Sequence, residues 1–492
     1  MHVQIEIDRE RDTALYQQII DGLQSQIRDG KLPEGTRLPT VRALAEELGV
    51  TRLTVHNAYR QLKRDGWIDS TVGRGTFVRA SPQPKTLQSI ASDEISPDQI
   101  IRQVWDVETS VGVRSFAYAH PDLALFPQDE FWRSLTSLRT TPAKLFPYAC
   151  TQGEPELRIQ LAQLAEARGM SVTADDLLVT GGVTQGLSLV ARALTEPADL
   201  IAVEQPTYLG ALQIAEAQNL RTAGVPMDEE GPRLDVLERL IAQRRPRFFY
   251  TVPSFHNPTG RNMSPARRRE LLELAERHQL PLIEDDIYGR LSYDNMPPPP
   301  LKRDDPNELV VYLDGFSKTL MPGLRIGYVI APALIREQLL KAKRADDLCG
   351  PSMTQHTLAE FLRRGHYDAH LKAMLPVYEA RRDTLLRALR REMPDGIQWT
   401  EPDGGLCCWV TVPKRPDIQG LYRMALERGL VFTPGNVFLA DPDMDGHLRL
   451  CFGQSDETVI REGIALLGEL MRTWLVEVES RAMTDRSPTP LV

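Results

Sequence analysis

Residues 313–329, LDGFSKTLMPGLRIGYV, decide how the larger part of this chain is read. An apolar run, Leu309-Val310-Val311-Tyr312-Leu313, gives way to a short polar stretch carrying Lys318 between Ser317 and Thr319. Seven residues further on, Arg325 interrupts a second apolar run. Lysine and arginine ordinarily stay at the surface, so two cations placed where a buried strand ends need a reason.

Four earlier apolar runs end in a comparable way. Leu177–Thr180 is followed by GGVTQG, Leu200–Val203 by EQPTY, Phe248–Val252 by PSFHNPTG, and Leu282–Ile283 by EDDIYG. Helical patterns over 184–194, 234–243 and 265–278 alternate with these runs. Alternation of this kind predicts an α/β domain with a mainly parallel, buried sheet. Ligands in such sheets gather outside the carboxyl ends of the strands. Each run delivers a group to that edge: the turn Gly182-Val183-Thr184, Tyr208, Asn257, Asp285 with Tyr288, and Ser317 with Lys318.

A glycine turn opening a helix suits a phosphate, because free backbone N–H groups face the anion. A lysine attacks a carbonyl as the neutral amine, so it must be desolvated or lie near other cations. A carboxylate can keep a pyridine nitrogen protonated and make the ring an electron sink. Arg325 adds a charge-assisted partner for a phosphate dianion. Phosphate, ring, carboxylate partner and carbonyl together describe pyridoxal 5′-phosphate.

From about residue 114 to 470 the chain resembles the class I/II aminotransferases of fold-type I, on the segments NPTG, EDDIYG, FSKTLMPGLRIG and LRLCFG. The resemblance implies a large α/β domain with a smaller C-terminal α+β lobe. It makes Lys318 the cofactor-bearing lysine, Asp285 the partner of the ring nitrogen, and Tyr288 and Asn257 the partners of the ring oxygen. Asp285 is preferred to Asp286 because it stands three residues before Tyr288. Arg325, Ser317, Gly182, Val183 and Thr184 are implied for the phosphate, and Tyr208 for stacking on the ring. Arg449 is implied for a substrate α-carboxylate, and Tyr148 for the phosphate of a partner subunit, hence a homodimer. Two departures concern phosphate hydroxyls: Gly315 and Gly181 stand where the family often has Ser or Thr.

The other end of the chain is different. Leu15, Ile19, Leu23 and Ile27 recur every four residues and predict a helix over 13–30. LPTVRALAEELGV then gives a short helix from Thr40 to Gly49, and TRLTVHNAYRQLKRDG a second over 52–64. In the second, Val55, Ala58, Tyr59 and Leu62 form an inward stripe, with Arg52, His56, Arg60 and Arg64 on another face. WIDSTVGRGTFV reads as a hairpin with Arg74 at its glycine-flanked tip. Residues 37–79 hold eight Lys/Arg against four Asp/Glu, in a chain whose net charge is −9. Residues 10–79 resemble a GntR-type winged helix-turn-helix. The resemblance implies double-stranded DNA as partner, with Arg42, Arg52, Thr54, His56, Asn57, Arg60 and Arg74 as contacts.

At 492 residues two or more domains are expected. The boundaries read as a DNA-binding head over 1–80, a Pro/Ser/Gln-rich linker over 81–113 with a short helix near 97–106, the cofactor domain over 114–475, and a disordered tail over 476–492. Neither a membrane span nor a signal pattern is read. Five cysteines without a C-x-x-C pair suit a reducing cytoplasm and give no metal site. Head and cofactor domain together resemble the MocR-type regulators of the GntR family, which implies a transcription factor sensing an amino-acid-like compound. The complete lysine site leaves transaminase activity open, of 2-aminoadipate or aromatic type, as well as a lyase or racemase on the same fold.

Overall fold

The computed structural model describes residues 15–28, 31–33, 35–64, 67–71, 75–78 and 113–484, apart from 141, 295, 414–417 and 442–445. Arg74 and the helix expected near 97–106 lie outside the described residues. The chain divides into two compact units, Met1–Asp93 and Glu94–Val492.

Among the described residues the first unit holds three helices, α1 (Leu15–Arg28), α2 (Val41–Leu48) and α3 (Arg52–Arg64), then a hairpin of β1 (Ile68–Thr71) and β2 (Gly75–Val78). Thr40 caps α2 by accepting the Ala43 amide at 3.2 Å, and Gly49 ends it at φ 63°, a left-handed conformation that suits glycine. Ile19, Leu23 and Ile27 of α1 are buried with Val55, Ala58, Tyr59 and Leu62 of α3, as their spacing predicts. Trp67, Ile68 and Val78 close the same core from the hairpin. The Tyr59 hydroxyl reaches over to the Pro39 carbonyl at 2.9 Å and ties α3 to the start of α2.

The second unit is built on seven strands: β3 (Leu177–Thr180), β4 (Leu200–Gln205), β5 (Arg221–Pro226), β6 (Phe249–Thr251), β7 (Leu282–Asp285), β8 (Val310–Gly315) and β9 (Gly327–Ile330). Their order across the sheet is β3-β9-β8-β7-β6-β4-β5. The pairs β5/β4, β4/β6, β6/β7 and β7/β8 are parallel, whereas β9 runs antiparallel to both β8 and β3. β3, β4, β7 and β8 are buried at every position, which is why they read as continuous apolar runs. β5 alternates in burial at the sheet edge, and the apolar-run criterion passes over it.

The reversed direction of β9 has a direct consequence. Its N-terminal end lies at the edge where the parallel strands finish, so Arg325, two residues before it, arrives beside their carboxyl ends. A parallel β9 would put Arg325 on the opposite edge.

A smaller lobe follows, with a four-stranded sheet that includes Cys407–Thr411 and His447–Cys451 in antiparallel pairing. Two long helices, His366–Glu392 and Glu457–Thr484, pack together beside it. The last helix continues past residue 476, so the disordered tail expected from there does not begin at that point. Leu467, Leu470, Met471 and Trp474 bury its apolar face and carry the helix onward. Among the described residues no helix is long and apolar enough to cross a membrane.

Candidate cofactor site and nucleic-acid face

Residues 316–321 fold into a tight turn. Phe316, Thr319 and Leu320 are buried, and the Leu320 and Met321 amides both bond back to the Phe316 carbonyl at 3.0 Å. Tyr367 donates its hydroxyl to Thr319 at 2.8 Å and meets the Phe316 ring edge-on. With those residues anchored in the core, Ser317 and Lys318 are left facing a pocket at the strand ends. Leu324 and Ile326 are buried on either side of Arg325, whose φ of 51° turns its side chain the same way.

The pocket is lined by Val183, Thr184, Tyr208, Asn257, Asp285, Tyr288, Ser317, Lys318 and Arg325, nine of the residues singled out from the sequence. It is completed by His120, Val252, Ile287 and Pro322. Gly182, at φ 113°, begins the turn before the helix Val183–Leu194, and a Cβ there would stand 3.1 Å from the Arg325 guanidinium. Gly327 packs against that turn so closely that a Cβ would lie 2.7 Å from the Gly182 carbonyl carbon. The glycine turn, the helix amides behind it, and Arg325 thus meet at one point.

Asp285 ends β7 in register with Leu313 of β8. The Tyr250 hydroxyl donates to its Oδ2 at 2.7 Å and the Ile287 amide to its Oδ1 at 3.2 Å. Neither partner is a cation. Burial, aided by the nearby Asp286 and Asp314, pushes the Asp285 carboxyl up to about 7 despite those two bonds. Its neighbour Asp286 is spent elsewhere, on Arg168 at 3.0 Å and the Tyr312 hydroxyl at 2.8 Å, so the two adjacent aspartates have separate roles. Lys318 is lowered to about 8, by burial first and by the positive field of Arg449 in addition.

Asn257 links the pocket to the smaller lobe. Its Nδ2 donates to the Tyr288 hydroxyl at 3.3 Å, and its Oδ1 accepts Arg449 Nη1 at 2.7 Å. Arg449 is itself buried; it also donates to the Ala117 carbonyl, lies over the Phe438 ring at 4.6 Å, and has no partner for Nε among the described residues. His256, next to Asn257, is buried against Glu204 at 3.1 Å and supports the loop from below. Glu204 also holds the Thr251 hydroxyl and the Val252 amide.

This donor set fits a phosphorylated pyridine aldehyde. A neutralisable amine faces the pocket, a buried carboxylate has no cation of its own, and a guanidinium stands at a glycine turn suited to an anion.

Sequence comparison agrees with that geometry. The profile of aminotransferase class I and II matches residues 130–465, and that of the bacterial regulatory proteins, gntR family, matches residues 15–78. The chain belongs to the class I and II aminotransferase family, with a GntR-family head. The HTH-type transcriptional regulator YisV of Bacillus subtilis (strain 168) is 30% identical over 94% of this chain and 97% of its own. The probable rhizopine catabolism regulatory protein MocR of Rhizobium meliloti is 27% identical over 93% and 94%. Among solved structures, LysN, the alpha-aminoadipate aminotransferase of Thermus thermophilus, is 34% identical with a TM-score of 0.72, over 77% of this chain and 95% of that one. The LysN crystal is complexed with N-(5'-phosphopyridoxyl)-L-leucine. Pyridoxal 5′-phosphate is the cofactor of this family, and the chain has the two-part architecture of the MocR-type regulators.

Two expected residues stand apart from the family pocket. Tyr148 is 86% exposed and does not line the pocket of its own chain, and Arg449 reaches it only behind Asn257. Conversely, His120 lines the pocket without having been read from the sequence. Its ring stacks on Tyr118 at 5.0 Å, and burial with Lys318 and Arg449 nearby holds it at about 4, hence neutral. No local pattern marks it. The segment reaches the site because Arg114–Ser115 pairs with Leu430–Val431 and the Cys451 amide bonds to Phe116, contacts more than 300 residues apart in sequence. Cys407 and Cys451 face each other nearby with sulfurs 3.7 Å apart, and burial keeps the Cys407 thiol protonated.

In the head unit, α3 turns Arg52, Leu53, His56, Arg60 and Lys63 to solvent. Thr54 and Asn57 are half-buried, and the Thr54 hydroxyl is held by that of Thr51 at 2.8 Å. Arg42 on α2 pairs with Glu46 at 3.0 Å, an exposed pair that a phosphate can displace at little cost.

Proposed function

We propose that this protein is a cytoplasmic, homodimeric transcriptional regulator that binds DNA through its head and responds to an amino-acid-like effector at the pyridoxal phosphate pocket. The observation that carries the reading is the union, in one chain, of an exposed basic α3 with a pocket holding Lys318, Asp285 and Arg325. Relatives described as transcriptional regulators match over more than nine-tenths of the chain, so both halves are shared with them.

When bound, pyridoxal phosphate supplies an electrophilic carbonyl and an electron-withdrawing ring. Lys318 offers the amine that holds it, and a lowered affinity for protons keeps that amine reactive near neutral pH. Asp285 holds a proton on the ring nitrogen, and gains there the cation its buried carboxylate otherwise has not got. Gly182, Val183, Thr184, Ser317 and Arg325 bind the phosphate. Tyr208 lies against the ring, and Tyr288 and Asn257 orient its oxygen. Arg449 receives the effector's α-carboxylate, and Tyr148 reaches the phosphate of the partner subunit. On the head, Arg42, Arg52, Arg60 and Arg74 bind phosphates, with His56, Thr54 and Asn57 toward the bases.

An effector changes DNA affinity only by as much as it favours one arrangement of the protein over another, typically about 1–3 kcal/mol. The test is a titration of selected DNA by fluorescence anisotropy, with and without amino acids that change the bound cofactor's absorbance. Arg449→Ala should keep cofactor and basal DNA binding while losing the response to carboxylate-bearing effectors. Unchanged DNA affinity for every amino acid that alters the absorbance would exclude sensing. The second reading, a working aminotransferase carrying a DNA-binding head, is favoured by the pocket's complement of lysine, carboxylate and tyrosine and by the likeness to LysN. Amino-group transfer to a 2-oxo acid in a substrate screen would support it.

A further inference from the structure

We infer that Leu53 reads a thymine in the major groove through its C5 methyl group. The inference rests on the proposed DNA binding by the head and adds a base-specific contact to it.

Leu53 is 67% exposed, at the second position of α3. A single exposed leucine on a protein surface is ordinary, but the position of this one is not. At 3.6 residues per turn, roughly 100° per residue, the buried residues Val55, Ala58, Tyr59 and Leu62 centre on one direction, and Leu53 lies within about 10° of its opposite. It therefore stands at the crest of the face turned away from the core. In a helix-turn-helix that crest enters the major groove, and residues of the first turn meet base edges. Its neighbours on the exposed face, His56 and Arg60, are polar, and Arg52 precedes it.

The chemistry of the contact follows from the side chain. Leucine can neither donate nor accept a hydrogen bond, and the one apolar feature a natural base pair offers in the major groove is the thymine methyl. Pressing an exposed leucine onto a hydrogen-bonding edge would leave that edge unsatisfied, so the same residue selects against other bases. Thr54, whose hydroxyl is already shared with Thr51, and Asn57, half-buried, are less free to search for partners than their side chains suggest from sequence.

The test uses the full-length protein with cofactor. Bound sequences are selected from a random duplex library, and each thymine of the selected site is then replaced singly by deoxyuridine, which removes only the methyl. Dissociation constants are measured at one salt concentration for wild type and Leu53→Ala, whose exposed position leaves the fold and the cofactor absorbance intact. Wild type should lose about fourfold in affinity at one thymine of each half-site, the worth of one buried methyl. Leu53→Ala should bind thymine and deoxyuridine equally at that position. If no thymine shows a methyl dependence, or if the dependence survives in Leu53→Ala, the inference is overturned while DNA binding stands. Failure of the full-length protein to select any DNA would remove the DNA-binding reading itself, and this inference with it.

Discussion

Lys318 offers a quantitative check on the site, because its reactivity depends on how strongly the fold disfavours its charge. Burial and the field of Arg449 lower it from 10.5 to about 8. At pH 7 an amine titrating at 8 is neutral in roughly one molecule of eleven, and one titrating at 10.5 in roughly one of three thousand. The fraction able to attack a carbonyl is therefore roughly 300-fold larger at this position than for the same amine in water. Reductive methylation of the cofactor-free protein with dilute formaldehyde and cyanoborohydride, quantified lysine by lysine by mass spectrometry, measures this directly. Labelling of Lys318 should rise about tenfold per pH unit up to about pH 7 and level off just above about pH 8. That of an exposed lysine such as Lys341 serves as reference. Arg449→Met removes one of the two lowering influences and should move the plateau to higher pH. A Lys318 profile still climbing beyond about pH 9.5 would refute the claim that the pocket depresses this amine.

Two further outcomes follow from the same pocket. The folded Asp285 carboxyl titrates at about 7 against an ordinary 3.8, so between those values the folded protein binds more protons than the unfolded chain. Stability of the cofactor-free protein contributed by this group therefore falls as pH rises from about 4 to 7, and Asp285→Asn should flatten that part of a urea-denaturation profile. An identical slope in the variant would locate the effect elsewhere. Gly327→Ala puts a Cβ 2.7 Å from the Gly182 carbonyl carbon and 2.9 Å from the Val183 amide. It should cost about 1–3 kcal/mol of stability and weaken binding of pyridoxal 5′-phosphate more than that of pyridoxal; equal losses in equilibrium dialysis would dissociate Gly327 from the phosphate turn.

Much of this protein is determined locally and is legible in its sequence. The stripe Val55, Ala58, Tyr59, Leu62 fixes α3 and its inward face, because helical period and burial are properties of neighbouring residues. The strand ends that carry Tyr208, Asn257, Asp285 and Lys318 are legible for a related reason. Parallel strands buried on both faces must be apolar throughout, and so the first polar residue after each run marks the edge where ligands bind. Local order even separates Asp285 from Asp286, since only one of them stands three residues before Tyr288.

What only the tertiary structure decided are matters of direction and long-range contact. A run such as Gly327–Ile330 does not state which way it crosses the sheet, and its antiparallel course is what brings Arg325 to the pocket at the strand ends. His120 enters the pocket from a segment held by residues more than 300 positions away. The Asp285 charge is set first by burial and is opposed by the Tyr250 hydroxyl on another strand, while Arg168 is engaged with Asp286 instead. Arg449 waits behind Asn257 rather than at the pocket wall. Sequence spacing records what a residue can do within its own turn or strand; which charges and rings meet it is fixed only when distant segments pack, and there the energy of a buried charge is decided.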